Sequence, residues 1–254
     1  MRGWKQTLCM IALGVAVTMG IAAPAFADST MLGTYYVLSP GDPDASGPCC
    51  WTRNDVIQPK LGPDGLPVIA SSVAGVQWTP GHLYFSDVNA SGEILWWSTI
   101  NAGSTFAKTE IDSLPFGFTN LFPNGTDDAH GSFVADWTGT INLGADTSVT
   151  FNVASDDDAF LFVDGNLVID DAGIHALVPV PPATIDLGPG SHTVNLFYAD
   201  REPVRADLSF SSSVPISAST PEGSAGGLMA LGIALLFGAC WLRKPARLAR
   251  SSRA

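Results

Sequence analysis

Three adjacent carboxylates, Asp156-Asp157-Asp158, run straight into the most strand-like stretch of this chain, and that junction constrains the fold more than any other feature. Phe160–Val163 and Leu167–Ile169 are short apolar, partly β-branched runs. The Asp164-Gly165-Asn166 punctuation between them has the composition that a tight hairpin needs for positive φ. Upstream, Val149, Phe151 and Val153 alternate with Ser148, Thr150 and Asn152, the period-two pattern of a half-buried strand. That strand delivers the chain into Asp156, so the acidic run sits at a strand end. From Phe133 onward, strand-like runs recur roughly every eight to twelve residues between Gly, Asp or Pro turns, the spacing of an antiparallel sandwich. Helical periodicity is confined to the two chain ends. The pattern predicts an all-β protein, an antiparallel β-sandwich of jelly-roll type with long Gly/Pro/Asp-rich loops.

The first half of the chain reads less regularly. Residues 37–82 carry dense turn signals, among them Ser39-Pro40-Gly41-Asp42-Pro43-Asp44 and Leu61-Gly62-Pro63-Asp64-Gly65-Leu66-Pro67, which predict loops over a β framework. His82–Phe85 and Ile94–Trp97 read as short aromatic strands around a turn at Asn89-Ala90-Ser91-Gly92. Residues 101–128 are ambiguous, with Leu114–Phe122 read as an apolar loop packed on the sandwich.

The ends read differently from the middle. Met1–Ala27 has a basic start (Arg2, Lys5), an apolar stretch and an Ala25-Phe26-Ala27 cleavage tripeptide, which together predict a secretory signal peptide. Gly226–Leu242 is apolar and uncharged, and Arg243, Lys244, Arg247, Arg250 and Arg253 follow it, which predicts a membrane segment with a cytoplasmic tail. The expected organisation is therefore a signal peptide (1–27), a β-sandwich (28–212), a Ser-rich linker (213–225), a membrane or sorting segment (226–242) and a basic tail (243–254). Between Asp28 and Pro221 there are five basic residues against 23 acidic ones, a net charge of about −18. Such a surface repels nucleic acid and attracts divalent cations, although solubility alone also accounts for it.

The acidic run is the best candidate site. Hard cations such as calcium take several oxygen ligands, and Asp156, Asp157 and Asp158 supply carboxylates at one point. In an extended strand Asp156 and Asp158 would face one way and Asp157 the other. The alternative is an acidic turn that binds no metal. Asp170 and Asp171 are weaker candidates, as further ligands or as turn formers, and Asp164 reads as a hairpin residue. His175 is a candidate ligand-binding residue, with a structural hydrogen bond as the competing assignment. Asp200-Arg201 reads as a local ion pair. Cys49 and Cys50 are adjacent, and an ordinary bridge between neighbours is too short; a strained bridge, a dimer link and two free thiols all stay open. No nucleophile elbow, Walker loop or zinc-protease motif is present, so the chain reads as a non-enzyme.

The stretch Ser155–His175 resembles the centre of the fibro-slime family, a branch of the protective-antigen-type β-sandwich modules. Gly33-Thr34-Tyr35-Tyr36, Phe133–Ile141 and Ile185–Arg201 resemble further strands of that module in the right order. In the family's sugar-binding members, an adjacent Asp-Asp pair joined by a cis peptide holds a calcium ion that in turn binds vicinal sugar hydroxyls. The resemblance places that pair at Asp156-Asp157, with Asp158 where relatives often have glycine. It implies a secreted or surface-anchored module that binds polysaccharide with calcium as cofactor. A structural matrix protein and, further off, a polysaccharide hydrolase are the competing readings. Pro221-Glu222, followed by the apolar run and Arg243-Lys244, resembles the PEP-CTERM sorting signal and implies a sorting protease (exosortase) as partner. Gly223 stands where that signal usually has a second proline.

Overall fold

In the computed structural model, the residues described are 29–38, 42–45, 51–53, 55–79, 82–83, 85–100, 104–118, 132–201 and 205–218. The expected signal peptide, Cys49-Cys50, Pro221-Glu222, the membrane segment and the tail lie outside them. Among the described residues, no helix is long and apolar enough to cross a membrane.

The chain forms β1 (Thr30–Leu38), β2 (Trp51–Arg53), β3 (Gln77–Thr79), β4 (His82–Leu83), β5 (Ser104–Ser113), β6 (Phe116–Phe118), β7 (Phe133–Leu143), β8 (Thr147–Asp156), β9 (Asp158–Val163), β10 (Asn166–Ile174), β11 (Val178–Pro179), β12 (Ala183–Leu187), β13 (Gly190–Ala199), β14 (Asp207–Ser212) and β15 (Ser217–Ala218). The larger sheet has the order β2-β10-β9-β13-β7-β1-β5, with β15 also pairing β7. The smaller has the order β11-β8-β14-β6, with β12 also pairing β8. All pairings are antiparallel. The fold is all-β, as the sequence predicts.

The hairpin forms where the punctuation places it. Asp164 and Gly165 take positive φ (50° and 69°), a two-residue turn whose twist matches the flanking strands, and Val163 pairs with Asn166. Every residue of β9 is buried. Ala159, Leu161 and Val163 enter the core between the two sheets, with Tyr35, Trp137, Phe151, Leu196, Tyr198 and Phe210. Phe160 and Phe162 face the opposite way, into a second core with Tyr36, Phe85, Trp96, Trp97 and Phe197. A strand buried on both faces reads as a continuous apolar run rather than an alternating one, which is why Phe160–Val163 stood out. The cover over the larger sheet's outer face comes from described residues between Asp42 and Trp97, among them Ala45, Val56, Ile57, Val73, Phe85 and Trp96. Buried Glu93 pins two of its loops, accepting from Asp64 N (2.7 Å) and Asn89 Nδ2 (2.7 Å).

Three expectations are corrected and one ambiguous segment, 104–113, is resolved. Leu95–Trp97 is a 3-10 turn rather than a strand, because Trp96 and Trp97 both have to reach the second core from adjacent positions and an extended strand would point them apart. Residues 104–113 form a full strand, β5, whose exposed polar residues hide its period. Phe116–Phe118 is a strand paired to β14 rather than loop. The linker does not begin at 213: Ile216 is wholly buried, Ser217 and Ala218 pair with β7, and a Cβ on Gly139 would lie 2.4 Å from Ile216 Cγ2. The sandwich therefore extends through Ala218. The Ile185–Arg201 segment is split between sheets, since β12 joins β8 while β13 runs between β7 and β9.

Candidate functional site

The acidic run is the point where the chain leaves one sheet for the other. Asp156 is the last residue of β8 in the smaller sheet, and Asp158 is the first of β9 in the larger. The Asp156-Asp157 peptide between them is cis, as the resemblance implied for that pair. The ends of β10 (His175) and β13 (Arg201) and the start of β14 (Asp207) converge on the same place.

Asp157 is buried and bridges two of these ends. Its Oδ1 accepts from His175 N and its Oδ2 from Arg201 N, each at 2.8 Å. Burial, then the neighbouring Asp158 charge, raises its pKa to about 7 against the pull of those two amides. Asp156 is half-buried and pairs across the sheet with Asp207. Burial, then the Asp207 charge, raises it to about 6, while hydrogen bonds from Leu177 N and Asp157 act the other way. The carbonyl of Asp156 accepts from the Tyr198 hydroxyl. Asp156 and Asp157 are thus adjacent carboxyls at the crossover, with a third, Asp207, opposite Asp156 in the strand register.

Asp158, expected on the same face as Asp156, is placed elsewhere. It is wholly buried; Oδ1 accepts from Gly173 N (2.8 Å) and Oδ2 lies 3.5 Å from Arg201 Nη1. The chain changes sheets at Asp157, so Asp156 and Asp158 do not share the continuous strand on which the expectation rested. Burial raises it to about 6, opposed by the Arg201 charge and the Gly173 amide. Arg201, expected in a local ion pair with Asp200, is also wholly buried, with Nε donating to the Asp44 carbonyl (2.8 Å) and its guanidinium over Trp96 (4.9 Å).

Asp170 and Asp171 lie within β10, so neither forms a turn. Asp170 Oδ2 accepts from Val56 N (3.1 Å) and ties down the covering loop. Asp171 Oδ2 accepts from Ser155 Oγ (2.7 Å) and its Oδ1 lies 3.4 Å from His175 Nε2. The His175 ring is buried, which opposes its charge, but the nearby Asp171 carboxylate and the Ala176 carbonyl overcome this and raise its pKa to about 9. His175 acts here through its backbone on Asp157 and its ring on Asp171. Asp164 stays at the hairpin, accepting from Thr193 N (2.8 Å) and contacting His192 Nδ1 (2.7 Å).

A second carboxylate group went unrecognised in the sequence. Asp42, Asp44 and Asp87 each offer an oxygen within 4.8 Å of the others. Asp44 accepts from Ser86 N (2.8 Å), Asp87 N (3.0 Å) and Trp96 Nε1 (2.9 Å), so it organises the covering loops. Asp42-Pro43-Asp44 was legible only as turn punctuation, and nothing in the sequence ties it to a residue more than forty positions away.

Asp156 and Asp207 are cross-strand neighbours in the smaller sheet and Asp157 follows at the crossover, with Asp156 incompletely buried; among the described residues, the three carboxylates whose oxygens all lie within 4.8 Å of one another are instead Asp42, Asp44 and Asp87.

Residues 121–220 match the PA14 domain. A search of curated proteins found no match. Among solved structures, the chain is similar to a PA14 sugar-binding domain from an RTX adhesin (14% identity, 75% of this chain and 95% of that one, TM-score 0.35). It is also similar to the PA14 domain of the antifreeze protein MpAFP (11% identity, 78% and 96%, TM-score 0.33). A third similar structure is a β-glucosidase from Kluyveromyces marxianus (13% identity, 34% and 12%, TM-score 0.30), of whose length this chain spans only that 12%.

Proposed function

We propose that this chain is an extracellular carbohydrate-binding module of the fibro-slime type in which Asp156 and Asp157, with Asp207 beside them, hold a calcium ion. The observation that carries the reading is the adjacent Asp156-Asp157 pair where the chain crosses between sheets, with Asp207 opposite Asp156 in the strand register. Calcium bound there would coordinate vicinal hydroxyls of a glycan directly. Leu177 and Val178 lie next to Asp156, are 42% and 53% exposed, and offer an apolar surface to the C–H face of a sugar. The PA14 match over residues 121–220 supports a binding role rather than a catalytic one. Secretion through the N-terminal signal, and sorting or anchoring through Pro221-Glu222 and the segment after it by an exosortase, complete the proposal and rest on sequence.

The test is calcium-dependent retention on a glycan array, together with melting in millimolar calcium and in chelator. Binding to the native state alone stabilises by roughly 2.7 kcal/mol at about a hundred times Kd. Asp156→Asn removes charge from the more accessible carboxylate and should abolish both the calcium shift and glycan retention. Asp171→Asn, at a residue spent on Ser155 and His175, should keep both. Identical melting of the wild type in calcium and in chelator would overturn the metal site. Reducing ends released from the array glycans would favour a hydrolase. For sorting, an intact C-terminus through Ala254 on the surface-exposed protein would refute processing.

A further inference from the structure

Strand β5 forms one edge of the larger sheet, and among the described residues nothing pairs with its outer side. A ten-residue edge strand with exposed apolar side chains is a template for another strand, and proteins ordinarily shorten or charge such edges. Here Phe106 is 49% and Ile111 is 56% exposed.

Directly paired residues share a face of the sheet, so the register to β1 gives the faces of β5. Thr34, Tyr36 and Leu32 oppose Thr109, Phe106 and Ile111. The register shifts between Tyr35, opposite Lys108, and Tyr36, opposite Phe106, which leaves Ala107 as an extra, bulged residue. The bulge moves Phe106 onto the same face as Thr109 and Ile111. Lys108, Glu110 and Asp112 share the other face, where Lys108 lies over the Tyr35 ring and Asp112 accepts from the Tyr35 hydroxyl.

We propose that β5 is a homodimer interface, pairing antiparallel with β5 of a second copy in a register centred on Thr109. In that register, Lys108 of each copy opposes Glu110 of the other. With Ala107 set aside as a bulge, Phe106 of each copy then opposes Ile111 of the other on the same face. Centring on Lys108 or on Glu110 instead would place like charges opposite each other. Centring between residues would pair side chains from opposite faces. The strand is therefore self-complementary in one register, in both its charges and its exposed apolar residues. That complementarity selects a second copy over an unrelated strand as the occupant.

The test is sedimentation of the full chain under reducing conditions across a concentration series, with two charge reversals. The wild type should dimerise. Lys108→Glu and Glu110→Lys should each weaken the dimer about tenfold, since each reversal turns two attractive cross-strand pairs into repulsive ones. Mixing the two variants should restore dimers, because each copy then supplies the charges that the other lacks. Circular dichroism confirms that the variants fold, and the mixture excludes misfolding as the cause. A monomeric wild type, single variants that dimerise as well as wild type, or a mixture that stays monomeric would overturn the proposal.

Discussion

Removing the Arg201 guanidinium should be among the most costly single changes in this protein. The side chain is wholly buried, lies over Trp96 (4.9 Å) and Phe85 (5.5 Å), and donates to the Asp44 carbonyl at 2.8 Å. Its Nη1 is 3.5 Å from the carboxylate of Asp158, which is itself wholly buried. Arg201→Met retains the backbone amide that holds Asp157 and much of the apolar stem, but leaves the Asp158 charge in the interior with the Gly173 amide and the weaker pull of His175. Breaking a buried pair from one side costs about 3–5 kcal/mol. The sign with pH follows from Asp158, whose folded pKa is already raised to about 6 with Arg201 present. Without that cation it rises further, so near pH 5 the variant carries a neutral Asp158 and most of the deficit disappears. Asp158→Asn combined with Arg201→Met should recover a large part of the loss at pH 8, because no uncompensated charge remains. Denaturant unfolding in chelator at pH 8 and pH 5, followed by near-UV circular dichroism, measures all three. A loss under about 1 kcal/mol at pH 8, or a deficit that is the same at both pH values, would refute the reasoning.

The same logic gives a pH profile for the metal-free protein. Burial, first of all causes, raises Asp157 and Asp136 to about 7 and Asp156 and Asp170 to about 6, above the unfolded value of 3.8. A raised acid costs stability that is absent below the unfolded pKa and fully present above the folded one. Stability in chelator should therefore rise as pH falls from 8 to 5, and a flat or opposite melting profile would contradict the burial of these groups. Calcium should flatten the part due to Asp156 and Asp157. Ile216→Ala, in the segment expected to be linker, should cost about 2–5 kcal/mol as a core truncation, against near zero for a true linker, measured by thermal unfolding.

The hairpin at Asp164-Gly165, strands β7, β8 and β13, and the acidic run at a strand end were all legible in the sequence. Each is specified locally, by alternation, a continuous apolar run or the positive φ of a turn. Strand β5 was not legible, because an edge strand with Lys108, Glu110 and Asp112 along one face lacks the apolar period that marks a strand. The two cores could not be separated either, since Phe160 and Leu161 are both simply apolar until two different layers are packed on them. At the site, the sequence placed Asp156, Asp157 and Asp158 together at a strand end but did not single out Asp207. Only the tertiary structure decided their employment: Asp158 to Arg201, Asp170 to the covering loop, Asp171 to His175, leaving Asp156 and Asp157 at the crossover with Asp207 opposite Asp156. A carboxylate's role depends on which donors and charges surround it once buried, and those come from residues tens to over a hundred positions away, as Arg201 and Asp44 show. Local pattern carries the strands and turns, whereas the electrostatics of a buried site belong to the packed whole.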